Sequence, residues 1–420
     1  MIYDFINFGL NNLDRGLHKS TEDHNAIIEA CRRINESLNK ISAEQSYENY
    51  LDAHGNQVLN AMGIFFSEVC SKWKCPNLWP LMKVLWNLQD SNRITRSLYR
   101  DHVLHSAQNV LLGFALLGHK ALVANVEIQT PSLFISLAYH DLGYVEQAKT
   151  SESSEGAVSP VLETFFRQTL ENMATGANLM MESMYVDVLA SVLCLDRKMI
   201  ERTRGLTELK TMATQIWTSG SSYEETHLIR LYEQMRLSGF PLRSYRTWKE
   251  KKDKDFPERH NHSLASAMLL LKIASTREHI IRMATTDYTL GDPYHQTDFS
   301  SAIYGALRSV FLHDFDLYAC PDTRRISETL NDDEIFVISV DEFQTYGRRA
   351  VEYDCLSPAL AGYAVSANQK LRPLIAKVLE SEAGEESKPA YFHTEKEIVK
   401  ALECKIGSRA GKFLEKERFV

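Results

Sequence analysis

The chain has 420 residues, of which 44% are hydrophobic and 24% charged, and its formal net charge is −8. These proportions are typical of a soluble globular protein that is long enough to bury a substantial core. The acidic balance argues against a general binder of nucleic acid or of anionic membranes, because such binding needs a surplus of lysine and arginine. A small phosphorylated ligand needs only a local basic pocket and stays compatible with this composition.

The N-terminal residues, the lengths of the apolar stretches and the cysteines together indicate the cellular compartment of the protein. The first ten residues hold Asp4 and no basic residue, so they are not typical of a secretory signal. No stretch reaches the roughly 18 uninterrupted apolar residues that a membrane span needs. The seven cysteines are scattered and form no CxxC pair, which is typical of a reducing compartment. We therefore expect a cytoplasmic protein that does not enter the membrane.

The N-terminal region, residues 1–95, is predicted to be helical throughout. Apolar residues recur three and four positions apart, for example in the segment 58–66. Trp79 and Trp86 in this region are predicted to be core aromatics rather than a ligand cage. We interpret the region as a helical arm and as a candidate surface for homo-oligomerisation.

Residues 96–150 are predicted to form the first half of a central domain. An amphipathic helix carries His102 and His105, which lie three positions apart and therefore on one face. A second, apolar helix ends in the adjacent pair His140 and Asp141. A buried imidazole and a buried carboxylate need partners, and a divalent metal ion would satisfy both. A hydrogen-bonded histidine beside a capping aspartate is the alternative.

Residues 151–255 are predicted to be a helical insertion into the central domain. Helical patterns occur at 160–166 and 186–194. A run of mixed charge at 249–255 closes the insertion. We interpret this run as a solvated boundary rather than a phosphate-binding patch, because its charges differ in sign.

Residues 256–365 are predicted to form the second half of the central domain, and 366–420 a peripheral tail. His260 and His262 open one predicted helix, in which Ala265, Ser266 and Ala267 would allow close helix packing. Another apolar helix ends in His313 and Asp314. The β-branched segment 335–340, which precedes Asp341, could be a strand, but we predict a buried helix there. The predicted fold class is all-α.

Five predicted apolar helices each present a histidine or an aspartate at an otherwise buried position. In chain order these residues are His105, His140 with Asp141, His262, His313 and Asp341. This order resembles the HD superfamily of metal-dependent phosphohydrolases. His105 followed five positions later by Val110 is similar to the first motif of that family. The stretches Tyr-His-Asp-Leu-Gly at 139–143, His-Ser-Leu-Ala-Ser-Ala at 262–267 and Val-Asp-Glu-Phe-Gln-Thr-Tyr-Gly-Arg at 340–348 carry the rest of the resemblance.

The resemblance covers residues 96–150 and 256–350, and it implies two divalent ions of manganese, magnesium, iron or zinc. Asp141 would bridge the two ions. His105, His140 and Asp341 would complete the ligands of the first ion, and His262 and His313 would hold the second. Two ions roughly 3.5–4 Å apart can orient a water molecule for attack on phosphorus and neutralise the charge that develops on its oxygens.

Further residues are candidates for catalysis or for substrate binding. His102 would suit a general acid that protonates the leaving oxygen, although a structural hydrogen bond to a carbonyl explains it equally well. His260 is a weaker candidate ligand than His262, and Asp314 would orient His313. The basic residues that could meet a phosphate, each with a solvated surface position as the alternative, are Arg100, Arg308, Arg348 and Arg349.

Departures from the family patterns leave the class of phosphoester open. No Gly-Tyr-Pro motif follows the His-Asp-Leu-Gly stretch, so the cyclic-di-GMP-specific HD-GYP branch is disfavoured. The stretch Tyr99-Arg-Asp-His102 stands where the cyclic-nucleotide phosphodiesterases have Tyr-His-Asn. Three functions remain: a phosphohydrolase acting on a nucleotide or cyclic nucleotide, a di-iron oxygenase similar to myo-inositol oxygenase, and a non-enzymatic nucleotide-binding regulatory module.

Overall fold

The computed structural model describes, wholly or in part, the residue ranges 63–83, 102–113, 130–143, 161–176, 179–217, 230–237, 262–285, 296–313 and 330–345. Most of these residues are helical, and no strand occurs in the described ranges. The predicted all-α fold is confirmed. The predictions for Trp86, the run 249–255 and the tail 366–420 lie outside the described residues.

Eight helices have defined bounds in this part of the chain. They are α1 (Thr130–Tyr139), α2 (Val161–Thr175), α3 (Leu179–Leu193), α4 (Arg197–Arg202), α5 (Thr207–Trp217), α6 (His262–Ala284), α7 (Gln296–Leu312) and α8 (Asp332–Thr345). Helical positions also occur between 63 and 83 and between 102 and 113. Residues 74–78 are not helical, so the prediction of a continuously helical region 1–95 is wrong at this point, where Pro76 interrupts the helix. Among the described helices, none combines the length and the apolar character needed to cross a membrane.

Several helices agree with the sequence-based expectations. The segment 335–340 lies inside α8 and is buried, so the helical interpretation of this β-branched stretch is confirmed. The helical patterns at 160–166 and 186–194 fall within α2 and α3 except for their end residues. Trp79 is buried, as expected of a core aromatic. The helices α4 and α5 had not been singled out from the sequence.

The chain divides into two compact units. Unit 1 comprises residues 1–72, 89–138 and 315–420, and unit 2 comprises 73–88 and 139–314. The chain passes from unit 1 to unit 2 between the last two residues of α1. The domain boundaries expected from sequence at residues 95, 150, 255 and 365 follow the positions of motifs rather than compactness, and they stay a prediction.

In unit 1, α1 carries no charged residue, and its side chains from Ser132 to Ala138 are all buried, as expected of a helix that has no charged face. Phe134 on this helix meets Phe66, with ring centroids 5.6 Å apart. Gly113 faces the side chain of Leu137 so closely that a Cβ at position 113 would lie 2.3 Å from Leu137 Cδ1. Gly113 therefore packs directly against α1.

In unit 2, α6 is the central helix, because it packs against α3, α4, α5 and α7. The helices α2 and α5 also pack on each other, with Phe166 stacked on Trp217 at a centroid distance of 3.9 Å. Trp217 Nε1 donates a hydrogen bond of 2.8 Å to Thr276 Oγ1 on α6. On the same helix, the buried ammonium group of Lys272 pairs with the carboxylate of Glu163 on α2. Helices of the predicted insertion thus fix the helix that begins at His262.

Candidate metal site

The His140 and Asp141 pair lies in a turn directly after α1, where the sequence predicted the end of an apolar helix. Leu142 N donates to the Tyr139 carbonyl at 3.2 Å and closes the turn. The Tyr139 hydroxyl donates to the Pro76 carbonyl at 3.0 Å and accepts from Leu78 N at 3.1 Å. The turn is buried, with His140 1% exposed and Asp141 3% exposed. It is therefore anchored to the core of unit 2 on its N-terminal side.

Three histidine side chains converge on one oxygen of Asp141. The distances from Asp141 Oδ1 are 3.2 Å to His262 Nε2, 3.4 Å to His313 Nε2 and 3.6 Å to His140 Nε2. All four side chains are buried and all belong to unit 2. We call these four residues the His-Asp cluster. Four of the six ligands predicted from sequence are thus brought together, although His262 and His313 follow Asp141 by more than 100 residues.

The hydrogen bond of His313 to the backbone determines which of its ring nitrogens faces the cluster as a lone pair. It follows the last residue of α7, and its Nδ1 lies 2.6 Å from the Val310 carbonyl oxygen. A carbonyl only accepts, so this hydrogen bond requires the ring proton on Nδ1. In a neutral imidazole, Nε2 then presents a lone pair. That lone pair faces Asp141 Oδ1 and also His262 Nε2, which is 3.0 Å away.

A lone pair beside an anionic oxygen is repulsive unless a hydrogen-bond donor or a cation lies near both. The donor can be the Nε2–H group of a neighbouring neutral imidazole such as His262, and the cation can be a metal ion. Ligand atoms roughly 2.1 Å from one ion lie about 3.0 Å apart at octahedral and about 3.4 Å apart at tetrahedral angles. The Nε2 to Oδ1 distances of 3.2–3.6 Å are close to these separations. The donor set therefore fits a metal ion.

Within the cluster, His140, Asp141 and His313 offer ligand atoms that all lie within 4.8 Å of one another. This buried group could hold one metal ion. His262, the first residue of α6, contacts two of its three members but does not belong to the mutually close set. The rings of His140 and His313 meet edge to face, with centroids 4.6 Å apart. Each ring therefore limits the rotation of the other.

Among the other predicted site residues that the structure describes, Asp341 and His102 belong to unit 1 and Arg308 belongs to unit 2. Asp341 is buried on α8 in unit 1, where its Oδ1 accepts a hydrogen bond of 3.2 Å from Asn109 Nδ2. His102 is a buried helical residue of the same unit. Arg308 is partly buried on α7, five positions before His313. The predicted site residues outside the described part of the chain are His105, Arg100, Arg348, Arg349, His260 and Asp314.

Two residues beside the cluster had no functional role in the sequence-based prediction. Ser266 was expected to allow close helix packing, whereas its hydroxyl contacts the backbone of both His140 and His262. Gly143 was noted only as part of the His-Asp-Leu-Gly motif, whereas its backbone lies against the first turn of α6. In the sequence, both residues are recognisable only as small residues. Small size indicates that a close contact is possible, but it does not tell which two segments of the chain form it.

Comparison of the chain with models of protein families, with curated proteins and with solved structures finds no match. Similarity to known proteins thus assigns neither a family nor an activity. The function has to be argued from the donor set, the order of its members along the chain and the geometry of the cluster.

Proposed function

We propose that this protein is a metal-dependent phosphohydrolase that cleaves a phosphoester or a phosphoanhydride, with a nucleotide or cyclic nucleotide as the substrate class. The observation that carries the proposal is the buried His-Asp cluster, in which three imidazole Nε2 atoms surround Asp141 Oδ1. Its members follow one another in the order His-Asp, His, His, which is the order found in the HD superfamily.

The chemistry of the donors favours some metals over others. Imidazole nitrogen suits zinc, iron and manganese, whereas magnesium prefers an all-oxygen environment with several water molecules. The cluster offers three imidazoles and one carboxylate, so manganese, iron and zinc fit it better than magnesium. A divalent ion bound there would polarise a phosphoryl oxygen and lower the pKa of a water molecule.

The protein's own residues would prepare the site for such an ion. The hydrogen bond from His313 Nδ1 to the Val310 carbonyl holds this imidazole in the tautomer that leaves Nε2 able to bind a metal. Burial of Asp141 strengthens its attraction for a cation, because few water molecules screen its charge. As the first residue of α6, His262 is held on a helix that three helices of the predicted insertion pack against, α3, α4 and α5.

Several parts of the proposal continue to rest on the resemblance alone. The participation of His105 and Asp341 in binding the first ion is one of them. The role of His102 as a general acid is another. Arg308 would meet the substrate phosphate, because a guanidinium group is always charged and can bind two phosphate oxygens at once. Arg100 and Arg348 are proposed for the same task.

The proposed function can be tested by a hydrolysis assay on the 420-residue protein after loading with manganese. We expect hydrolysis of at least one compound in a panel of nucleoside mono-, di- and triphosphates and cyclic nucleotides, measured by chromatography of the products. A chelator should abolish the reaction and manganese should restore it, because the ion supplies the charge that the reaction needs. Failure of a fully loaded protein to hydrolyse any member of the panel would contradict the proposed substrate class.

Iron content and oxygen consumption separate the two enzymatic functions. A protein that is purified with iron and consumes dioxygen during turnover would favour an oxygenase over a hydrolase. A protein that binds a nucleotide without changing it, in the presence of saturating manganese, would favour a regulatory module.

A further inference from the structure

We infer that Ser266 is a positioning residue, which together with Gly143 fastens the His140 and Asp141 turn to the first turn of α6. We call the contact between these two residues the Ser-Gly latch. The inference rests on the proposed function in one respect, since the role assigned to the latch is to hold the ligands of the proposed metal site at the spacing that an ion requires.

The hydroxyl of Ser266 contacts both segments that carry ligands. Ser266 Oγ accepts a hydrogen bond of 2.7 Å from Gly143 N. It lies 2.5 Å from the carbonyl oxygen of His140 and 2.9 Å from that of His262. A hydroxyl has one proton, so it can donate fully to one carbonyl at a time, and the shorter distance favours His140. Ser266 is fully buried, and water therefore does not compete for these bonds.

Gly143 allows the two backbones to come this close. A Cβ at position 143 would lie 2.0 Å from the His262 carbonyl oxygen and 2.7 Å from Ser266 N, and both of these are backbone atoms. Gly143 is not among the glycines with a positive φ, so the position needs glycine for space and not for an unusual conformation. The turn and the helix are thus in direct backbone contact at the residues next to the ligands.

A second serine in the same turn of α6 makes a similar link to the remaining ligand. Ser263 Oγ donates a hydrogen bond of 3.0 Å to the Phe311 carbonyl, two residues before His313. The first turn of α6 therefore bonds to the chain next to His140 through one serine and to the chain near His313 through another. The first turns of α6 thus support both chain segments, and the Ser266 hydroxyl contacts the backbone of two ligand residues directly.

Metal binding depends on ligand positions to within a fraction of an ångström, so loss of this support should weaken it. Loss of a hydrogen bond that orients a ligand typically lowers metal affinity about 10- to 100-fold. The Ser266→Ala variant removes the hydroxyl, and it leaves Gly143 N buried without its present acceptor. We expect manganese affinity to fall about 10- to 100-fold in this variant.

Thr276 provides a matched control on the same helix. Its hydroxyl is fully buried, donates to the Lys272 carbonyl at 2.7 Å and accepts from Trp217 Nε1 at 2.8 Å. Thr276→Val therefore removes a buried hydroxyl that links α6 to another element, as Ser266→Ala does, but far along the helix from the cluster. A purely structural role would lower the thermal stability of both variants and leave their manganese affinities alike.

The experiment is calorimetric titration of manganese into the full-length parent, Ser266→Ala and Thr276→Val, with thermal unfolding of each protein without metal. We expect a loss of affinity in Ser266→Ala only, and a change of less than about twofold in Thr276→Val. If Ser266→Ala does not fold, Ser266→Cys keeps the shape of the side chain with a larger atom and a weaker hydrogen-bonding group, and it should show an intermediate loss.

The outcomes separate this inference from the proposed function. Parental affinity in a folded Ser266→Ala protein would overturn the inference and leave the proposed metal site standing. Equal losses in Ser266→Ala and Thr276→Val would also overturn it, because the effect would then follow general destabilisation. A parent that binds no manganese at all would overturn both the metal site and the positioning role.

Discussion

Replacement of Asp141 by asparagine is expected to lower the rate of phosphohydrolysis by more than about 100-fold, while the protein stays folded. The reason is the central position of one carboxylate oxygen, which lies 3.2–3.6 Å from the Nε2 atoms of three buried histidines. Asparagine keeps the size of the side chain but removes its negative charge. Without this charge nothing in the His-Asp cluster offsets the positive charge of a divalent ion in a buried site.

Asp187→Asn is the matched control for this prediction. Asp187 lies on α3 and its side chain is 55% exposed, where it pairs with Arg197 at 2.7 Å. Exposed ion pairs contribute little to stability, so this variant should keep parental activity and parental metal affinity. The measurement is the initial rate at saturating manganese together with the far-ultraviolet circular dichroism spectrum. A folded Asp141→Asn protein with parental activity would contradict the assignment of Asp141 as a metal ligand.

Gly143→Ala is expected to destabilise unit 2 by about 3 kcal/mol, through steric overlap rather than through loss of an interaction. The new Cβ would lie 2.0 Å from the carbonyl oxygen of His262. Because that atom belongs to a helix backbone, it cannot move aside as the end of a flexible side chain can. For a unit of this size the expected fall in melting temperature is roughly 6–12 °C. Thermal unfolding in the absence of metal measures it.

Gly176→Ala separates the steric cost from the general cost of replacing a glycine. Gly176 has a φ of +65° and no atom within 4 Å of the position where a Cβ would stand. Its replacement is strained only by backbone conformation, which costs about 1–2 kcal/mol. Gly143→Ala should therefore lower the melting temperature more than Gly176→Ala does. Equal shifts in the two variants would contradict the close backbone contact between the turn and α6.

Helix positions were predictable from the sequence where the signal is local. An apolar stretch ending in His140 predicted a buried helix that ends there, and α1 ends one residue earlier. The small residues after His262 predicted a packed helix, and α6 begins at His262. By contrast, α4 has six residues and owes its start to Asp196, whose side chain accepts a hydrogen bond from Lys198 N. A helix this short has too few turns to show an apolar period.

The ligand set was also predictable in part, since a histidine next to an aspartate at the end of an apolar helix is conspicuous in the sequence. The contacts that arrange these residues were not. Ser266 bonds to a carbonyl 126 positions earlier in the chain. The tautomer of His313 depends on the direction of the Val310 carbonyl, which only the folded helix end determines. Tertiary contacts of this kind produce no periodic pattern of apolar residues, so they cannot be predicted from the sequence as helices can.

The packing of the insertion could likewise not be inferred from its boundaries. Its polar and charged ends are typical of exposed connections, and we interpreted it only as a helical segment. In the structure, α2 and α5 pack together, and Glu163 and Trp217 bind Lys272 and Thr276 on α6. The helix that begins at His262 is thus fixed along its length by the insertion and at its first turn by the Ser-Gly latch.

The most direct test of the central claim, that the His-Asp cluster binds a divalent ion, is the metal content of the protein. The full-length parent and a His140→Ala, Asp141→Ala double variant would be purified without chelators, loaded with manganese, freed of unbound metal and analysed for elements. We expect at least one equivalent of manganese per chain in the parent, with two as the number that the resemblance implies, and none in the double variant. An absence of metal in the loaded parent would contradict the metal site and leave a cluster that is held together by hydrogen bonds alone.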